Sequence, residues 1–94
     1  MKTKKQNFSI RNMISPKGNA IPNQFKIWNS DGRYFQSYKS IIAFIDHNNN
    51  VFLDKDKWDY SKTTNKYRNL FLGESTATIK YFVKTGKYKL KNLN

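Results

Sequence analysis

The chain has 94 residues, no cysteine, one histidine and a formal net charge of +12. This length fits one domain, and the composition excludes disulfides, thiolate metal sites and a cysteine nucleophile. A single histidine also makes a tetrahedral zinc site unfavourable. No segment resembles a signal peptide or approaches the roughly 20 apolar residues of a membrane span. We therefore expect a cytoplasmic protein.

The positive charge is concentrated near the two ends of the chain. Residues 1–30 hold six lysines and arginines and residues 75–94 hold five, with no acidic residue in either segment. If the two segments meet in the fold, they form one basic face that attracts polyanions through Coulomb steering and counterion release. The alternative is an AT-rich coding bias, because lysine outnumbers arginine 15 to 3 and asparagine occurs 12 times.

The first 22 residues are polar and show no clear hydrophobic period. Pro16, Gly18 and Pro22 interrupt this segment, and such residues are typical of turns and loops. The pattern predicts a flexible basic arm over residues 1–22 and a single α+β domain over residues 23–94.

The next segment predicts a small antiparallel sheet. The Asp31-Gly32 pair lies between two alternating segments and indicates a hairpin, because both residue types tolerate positive φ. The apolar run at 41–45 predicts a strand, with a short helix as the alternative. We therefore expect a meander of three or four strands. The predicted strands are 24–29, 33–38, 41–45 and 51–53.

Two short helices follow the predicted sheet. The hydroxyls and lysine of residues 60–64 supply N-cap chemistry, Tyr67, Leu70 and Phe71 share one helical face, and Gly73 ends the first helix. Ser75 or Thr76 can cap the second helix, which ends at Gly86. Tyr88 and Leu90 alternate with lysines, so the chain can close with one more strand.

The predicted nucleic-acid contacts combine basic residues from both ends with two aromatic residues and one helix start. Lysines suit phosphate contact, which carries little sequence information, and the shortage of arginine disfavours recognition of base edges. The predicted contact residues are Lys2, Lys4, Lys5, Arg11, Lys26, Trp28, Trp58, Ser61, Thr63, Thr64, Lys66, Arg68, Lys80, Lys84, Lys87, Lys89 and Lys91.

Two parts of this set have purely structural alternatives. The helix start at 61–66 offers free N–H groups, hydroxyls and lysines to a phosphate, but N-capping explains the same residues without a ligand. Trp28 and Trp58 can stack on bases of single-stranded nucleic acid, or they can pack across strands.

No group of residues predicts catalysis or a bound metal. Asp46-x-Asn48-x-Asn50 resembles the start of a calcium loop, but the required later glycine and glutamate are missing. His47 in this segment is typical of a solvated turn. Asp54, Asp56 and Asp59 are interleaved with lysines and indicate a charged loop. We expect no cofactor and no enzymatic activity; a nuclease using these carboxylates is the least implausible enzyme.

Two segments of the chain carry a pattern, Phe35-x-Ser37-Tyr38-x-Ser40-x-Ile42-Ala43 and Trp58-Asp59-Tyr60-Ser61-x-Thr63-Thr64-x-Lys66-Tyr67-Arg68-x-x-Phe71-Leu72-Gly73. With this pattern the chain resembles a family of small uncharacterised bacteriophage and mobile-element proteins. The resemblance covers about residues 24–90. It implies a phage protein acting in the bacterial cytoplasm and assigns no catalytic residue.

These observations predict a small basic phage-type protein that binds DNA or RNA, mainly through phosphates and with weak sequence specificity. The alternative is a phage-encoded interaction protein that binds and inhibits an acidic host protein, such as a polymerase, nuclease or defence factor. A homodimer is compatible with so small a core, and no membrane partner is expected.

Overall fold

The computed structural model describes residues 8–94, which form one six-stranded sheet and two helices. Lys2, Lys4 and Lys5 therefore lie outside the described residues. The strands are β1 (Ser9–Ile14), β2 (Ala20–Asn29), β3 (Gly32–Ser37), β4 (Ser40–Asp46), β5 (Val51–Asp54) and β6 (Lys89–Lys91). The helices are α1 (Lys62–Leu72) and α2 (Thr76–Thr85).

The strands lie in chain order across the sheet, from β1 at one edge to β6 at the other. β1 to β5 form an antiparallel meander, and the two helices connect β5 to β6, which pairs with it in parallel. The α+β class is as expected, but the prediction of a three- or four-stranded sheet is wrong. The sheet is larger because β1 adds an edge strand and β6 closes the other edge.

The missed strand lies within the segment predicted as a flexible arm. Five of the six β1 residues are exposed and its register shifts between Asn12 and Ile14, so neither burial nor strict alternation marks it. The predicted boundary at residue 23 falls inside β2. Pro22 is tolerated in β2 because it is not paired with a residue of either neighbouring strand. Its missing N–H therefore removes no ladder hydrogen bond.

Both helices begin and end at the predicted caps. The Ser61 and Ser75 side chains accept hydrogen bonds from the Thr64 and Thr78 N–H groups. Gly73 ends α1 in the left-handed region, with φ 71°, which glycine adopts without steric cost. The segment that carries the family resemblance thus folds as a loop followed by a capped helix.

The helices cover one face of the sheet, which we call the helix face. The Phe35 ring of β3 stacks on Phe71 of α1 with centroids 5.8 Å apart, and the Ser37 hydroxyl lies 2.9 Å from that of Thr64. Ile79 of α2 is fully buried in the same cluster as Leu53 of β5. Both helices pack on this face, so no helix within residues 8–94 covers the opposite face of the sheet.

A cross-strand row runs over this second face, which we call the open face. The row contains one residue from each of the six strands, and each of these residues pairs with the one on the neighbouring strand. None of the row belongs to the buried core cluster. The row consists of Ile10, Ile27, Tyr34, Phe44, Phe52 and Lys89.

A buried guanidinium ties the helices to the loop that precedes them. Arg68 is fully buried and donates to the Trp58 carbonyl, to Asn69 Oδ1 and to Thr76 Oγ1 of α2. Its Nη1 also lies 3.7 Å from Asp59 Oδ1. Burial lowers the pKa of Arg68, and the Asp59 carboxylate opposes that shift. The guanidinium therefore stays charged because acceptors from three segments surround it.

No helix within residues 8–94 is long and apolar enough to cross a lipid bilayer.

We predict that Arg68→Lys lowers the free energy of unfolding by about 3 kcal/mol, because one ammonium cannot satisfy the buried acceptors that the planar guanidinium reaches. Urea denaturation measures this loss. Arg33→Lys is the control, since Arg33 is exposed and its replacement is expected to change stability by less than about 0.5 kcal/mol. Equal effects of the two substitutions on stability would contradict the structural role of the buried Arg68 guanidinium.

Candidate nucleic-acid interface

The two basic segments lead to opposite edges of the sheet. The N-terminal described residues build β1 and β2 at one edge, and the C-terminal residues end in β6 at the other. Five strand spacings separate the two edges, which corresponds to about 24 Å. The condition for a single basic face, that the two segments meet, is therefore not met within residues 8–94, and the two basic regions are considered separately.

The region at the first edge centres on Trp28. This side chain lies on the helix face. The buried Gln24, four residues earlier on β2, points to the same side. Helix α1 covers the Gln24 end, where Thr64 meets Ser37. The Trp28 end is not covered, and 38% of the tryptophan surface is exposed.

Three cations surround Trp28 on this uncovered end. Lys26 is its neighbour along β2, and Arg33 pairs directly with it on β3. Arg11 is its diagonal neighbour on β1, because Ser9 pairs with Trp28 and Arg11 with Lys26. Cross-strand neighbours lie about 5 Å apart and diagonal neighbours about 7–8 Å. We call Arg11, Lys26, Trp28 and Arg33 the Trp28 cluster.

The cations of this cluster have no carboxylate partner among residues 8–94, whose ion pairs all involve Asp59. Arg11 and Lys26 stand directly opposite each other, and like charges in that position destabilise a sheet. A hollow of about 230 Å³ lined by Ser9, Arg11 and Trp28 opens beside them. The arrangement leaves positive charge and a hollow available to an anionic ligand.

A tight hairpin places Arg33 in the cluster. Asn29 pairs with Gly32 across a two-residue turn, and the Asp31 N–H donates to Asn29 Oδ1 over 2.8 Å. Gly32 has φ +144°, and a Cβ there would lie 2.2 Å from the Ile45 carbonyl oxygen. Only glycine fits this position, so the hairpin register is fixed. The predicted hairpin is present, but its turn residues are Ser30 and Asp31, one position before the Asp-Gly pair. This shift in register pairs Arg33 with Trp28, which the predicted turn did not indicate.

The predicted anion site at the start of α1 is occupied by internal hydrogen bonds. Ser61 Oγ accepts from the Thr64 N–H, and the Thr64 hydroxyl bonds to Ser37 in the interior. Asp59 Oδ1 accepts from Asn65 in the first turn of α1, which adds a carboxylate where a phosphate would bind. Thr63 and Lys66 are exposed on α1. N-capping therefore accounts for this segment.

Trp58 and Arg68 also serve the fold. The Arg68 guanidinium lies over the Trp58 ring, 5.8 Å from its centroid, and Trp58 packs against the core cluster. Arg68 is fully buried. A nucleic acid cannot reach the buried Arg68 directly, so the prediction of that contact is wrong. Trp58 is half-buried, and its contact stays a prediction.

The second basic region consists of exposed lysines on α2, on β6 and between them, and four of the five have contacts within the chain. These C-terminal lysines are Lys80, Lys84, Lys87, Lys89 and Lys91. Lys80 Nζ lies 3.8 Å from Asp59 Oδ2. Lys87 and Lys91 lie over the rings of Phe82 and Phe52, at 4.1 and 5.0 Å from their centroids. Lys89 donates to the Gly86 carbonyl. Lys84 occupies the last turn of α2, where a cation favours the helix dipole. Lysines on β6 also discourage edge-to-edge pairing.

The aromatic rings of the open face stack on one another. Tyr34 and Phe44 have centroids 4.4 Å apart and Phe44 and Phe52 5.9 Å, with interplanar angles of 23° and 21°. Lys91 covers the outer side of Phe52. Since neighbours in the row occupy the ring faces, the open face presents an apolar surface rather than free rings for bases.

The predicted carboxylates do not converge on one point. Asp54 is buried and accepts from the N–H groups of Asp56, Lys57 and Leu93. Burial disfavours its charged form, but these bonds and one from Asn94 outweigh that effect and lower the pKa of Asp54. Asp59 pairs with Arg68 and Lys80. Within residues 8–94 no three His, Asp or Glu residues are placed to hold a metal ion.

A family model described as "Family of unknown function (DUF8033)" matches residues 8–88. The match begins at the residue before β1 and includes the whole Trp28 cluster. No curated protein and no solved structure matches the chain.

We predict that Lys26→Glu raises the free energy of unfolding by about 0.5 kcal/mol at low salt, because a glutamate opposite Arg11 replaces repulsion with attraction. Denaturation at low and high salt measures the effect, which should shrink as salt screens the pair. Lys26→Gln is the control and should show a smaller gain. A loss of stability in Lys26→Glu at low salt would contradict the repulsion between Arg11 and Lys26.

Proposed function

The chain belongs to this family of unknown function, and we propose that it is a non-enzymatic, phage-type nucleic-acid-binding protein that acts in the cytoplasm of a bacterial host. It holds phosphates with the Trp28 cluster and has weak sequence specificity. Binding in this account is mainly electrostatic, so it depends on salt and on the length of the nucleic acid.

The observation that carries the proposal is the direct opposition of Arg11 and Lys26, with Arg33 beside Trp28 on the next strand. This arrangement costs stability and has no compensating acidic group among the ion pairs of residues 8–94. A feature that violates a local rule without a structural gain is typical of a functional site. A polyanion supplies the missing negative charge.

The open face favours a second candidate function, the binding of an acidic host protein. Its apolar row ends at Lys89, with Lys91 beside it. An acidic protein with an apolar patch would fit such a surface, with the aromatic rings as interface anchors. A protein partner gives one defined complex, whereas nucleic acid gives binding that strengthens with length.

We predict that replacing Arg11, Lys26 and Arg33 together by glutamine weakens binding to a labelled 20-nucleotide single strand at least tenfold. The wild-type affinity should fall roughly 20-fold between 50 and 200 mM salt if three phosphates are held, because each contact with a single strand contributes about −0.7 to the logarithmic salt slope. Fluorescence anisotropy measures both quantities.

The matched control replaces Lys84, Lys87 and Lys89 by glutamine, which removes the same charge from the C-terminal lysines, outside the Trp28 cluster. We expect less than a threefold loss in that variant. Equal losses would indicate a general charge effect and would contradict a localised site. No binding of the wild-type protein at micromolar concentration would remove the nucleic-acid proposal and favour the protein partner.

A further inference from the structure

The Trp28 ring differs from the other aromatic rings described below in having no cation or stacked ring over it within residues 8–94. The rings of Trp58, Phe52 and Phe82 are covered by cations, and Tyr34 stacks on Phe44. Within residues 8–94 no stacking or cation contact involves the Trp28 ring. Trp28 lies outside the core cluster, and 38% of its surface is exposed.

Shallow hollows open on several sides of this indole. One of about 190 Å³ is lined by Phe8, Ser9, Trp28 and Asn29. Phe8 is 62% exposed, so two exposed aromatic side chains face a single hollow. A third hollow, of about 230 Å³, joins Trp28 to Arg33, Asp46, His47 and Asn49. Aromatic surface therefore lies next to hydroxyl, amide and cationic groups, and next to one carboxylate, around one ring.

We infer that the Trp28 cluster binds single-stranded nucleic acid, with one unpaired base stacked on the Trp28 indole between Phe8 and the cations. This inference rests on the proposed function and names the ligand class for the same site. Arg11, Lys26 and Arg33 hold the phosphates on either side of that base. A duplex base is stacked and paired, so it cannot offer its face to the indole.

The stacked base adds affinity without selecting a sequence. Every base has a π-face, so stacking on an aromatic platform tolerates any of the four. The uncharged polar groups that line the hollows are Ser9, Asn29 and Asn49, and the Asp46 carboxylate and His47 also line the hollow beside Arg33. The three cations are positioned for the backbone. The cluster therefore distinguishes unpaired from paired strands rather than one base from another.

The test compares three labelled probes of the same length: a 12-nucleotide oligothymidine, a 12-nucleotide abasic backbone and a 12-base-pair duplex. We expect wild-type protein to bind oligothymidine at least about fivefold more tightly than the abasic backbone, because a stacked base contributes about that factor or more. Trp28→Ala should lose this preference and leave binding to the abasic backbone unchanged. Trp28→Phe should retain part of it.

Tyr81→Ala is the control for removing an exposed aromatic side chain, since Tyr81 is 61% exposed on α2, and it should bind all three probes as the wild type does. Equal binding of the three probes by wild type and Trp28→Ala would overturn the stacking inference and leave the nucleic-acid proposal standing. Failure of the wild type to bind any probe would overturn both.

Discussion

The buried guanidinium of Arg68 is the interaction on which the arrangement of the fold depends. It joins the loop at Trp58 and Asp59 to α1 and to Thr76 of α2, while Thr64 ties α1 to β3. These bonds hold both helices against one face of the sheet. The open face and the Trp28 end of the helix face are exposed as a consequence. A buried charge needs all of its partners to remain favourable, so this network constrains the residues from Trp58 to Thr76 together.

Much of the fold could be predicted from local chemistry. The serine caps, the terminal glycines and the hairpin at Asp31 and Gly32 each act over a few residues, so the sequence pattern marks them directly. β1 could not be found this way, because most of its side chains are exposed and its register shifts. Only pairing with β2 makes it a strand. β6 is three residues long, and the alternation of Tyr88 and Leu90 with lysines had indicated that the chain can close with a last strand there.

The candidate site divides in the same way. Arg11, Lys26 and Trp28 belong to the predicted contact set and meet on neighbouring strands, and the hairpin adds Arg33. The contact of Arg68 was predicted from its residue type, which does not reveal burial, and in the structure Arg68 bonds to the Trp58 carbonyl. The start of α1 was predicted from its N–H groups and hydroxyls, which bond to one another in the cap. The two basic segments do not meet within residues 8–94, because strand order separates them.

The most direct test of the Trp28 cluster follows the two indole N–H signals by NMR while a 12-nucleotide single strand is added. The chain has two tryptophans, and each reports one environment: Trp28 the cluster and Trp58 the Arg68 network. The account predicts a large, saturable shift of the Trp28 signal and a much smaller change at Trp58. An unmoved Trp28 signal, with shifts confined to Tyr34, Phe44 and Phe52 of the open face, would contradict it.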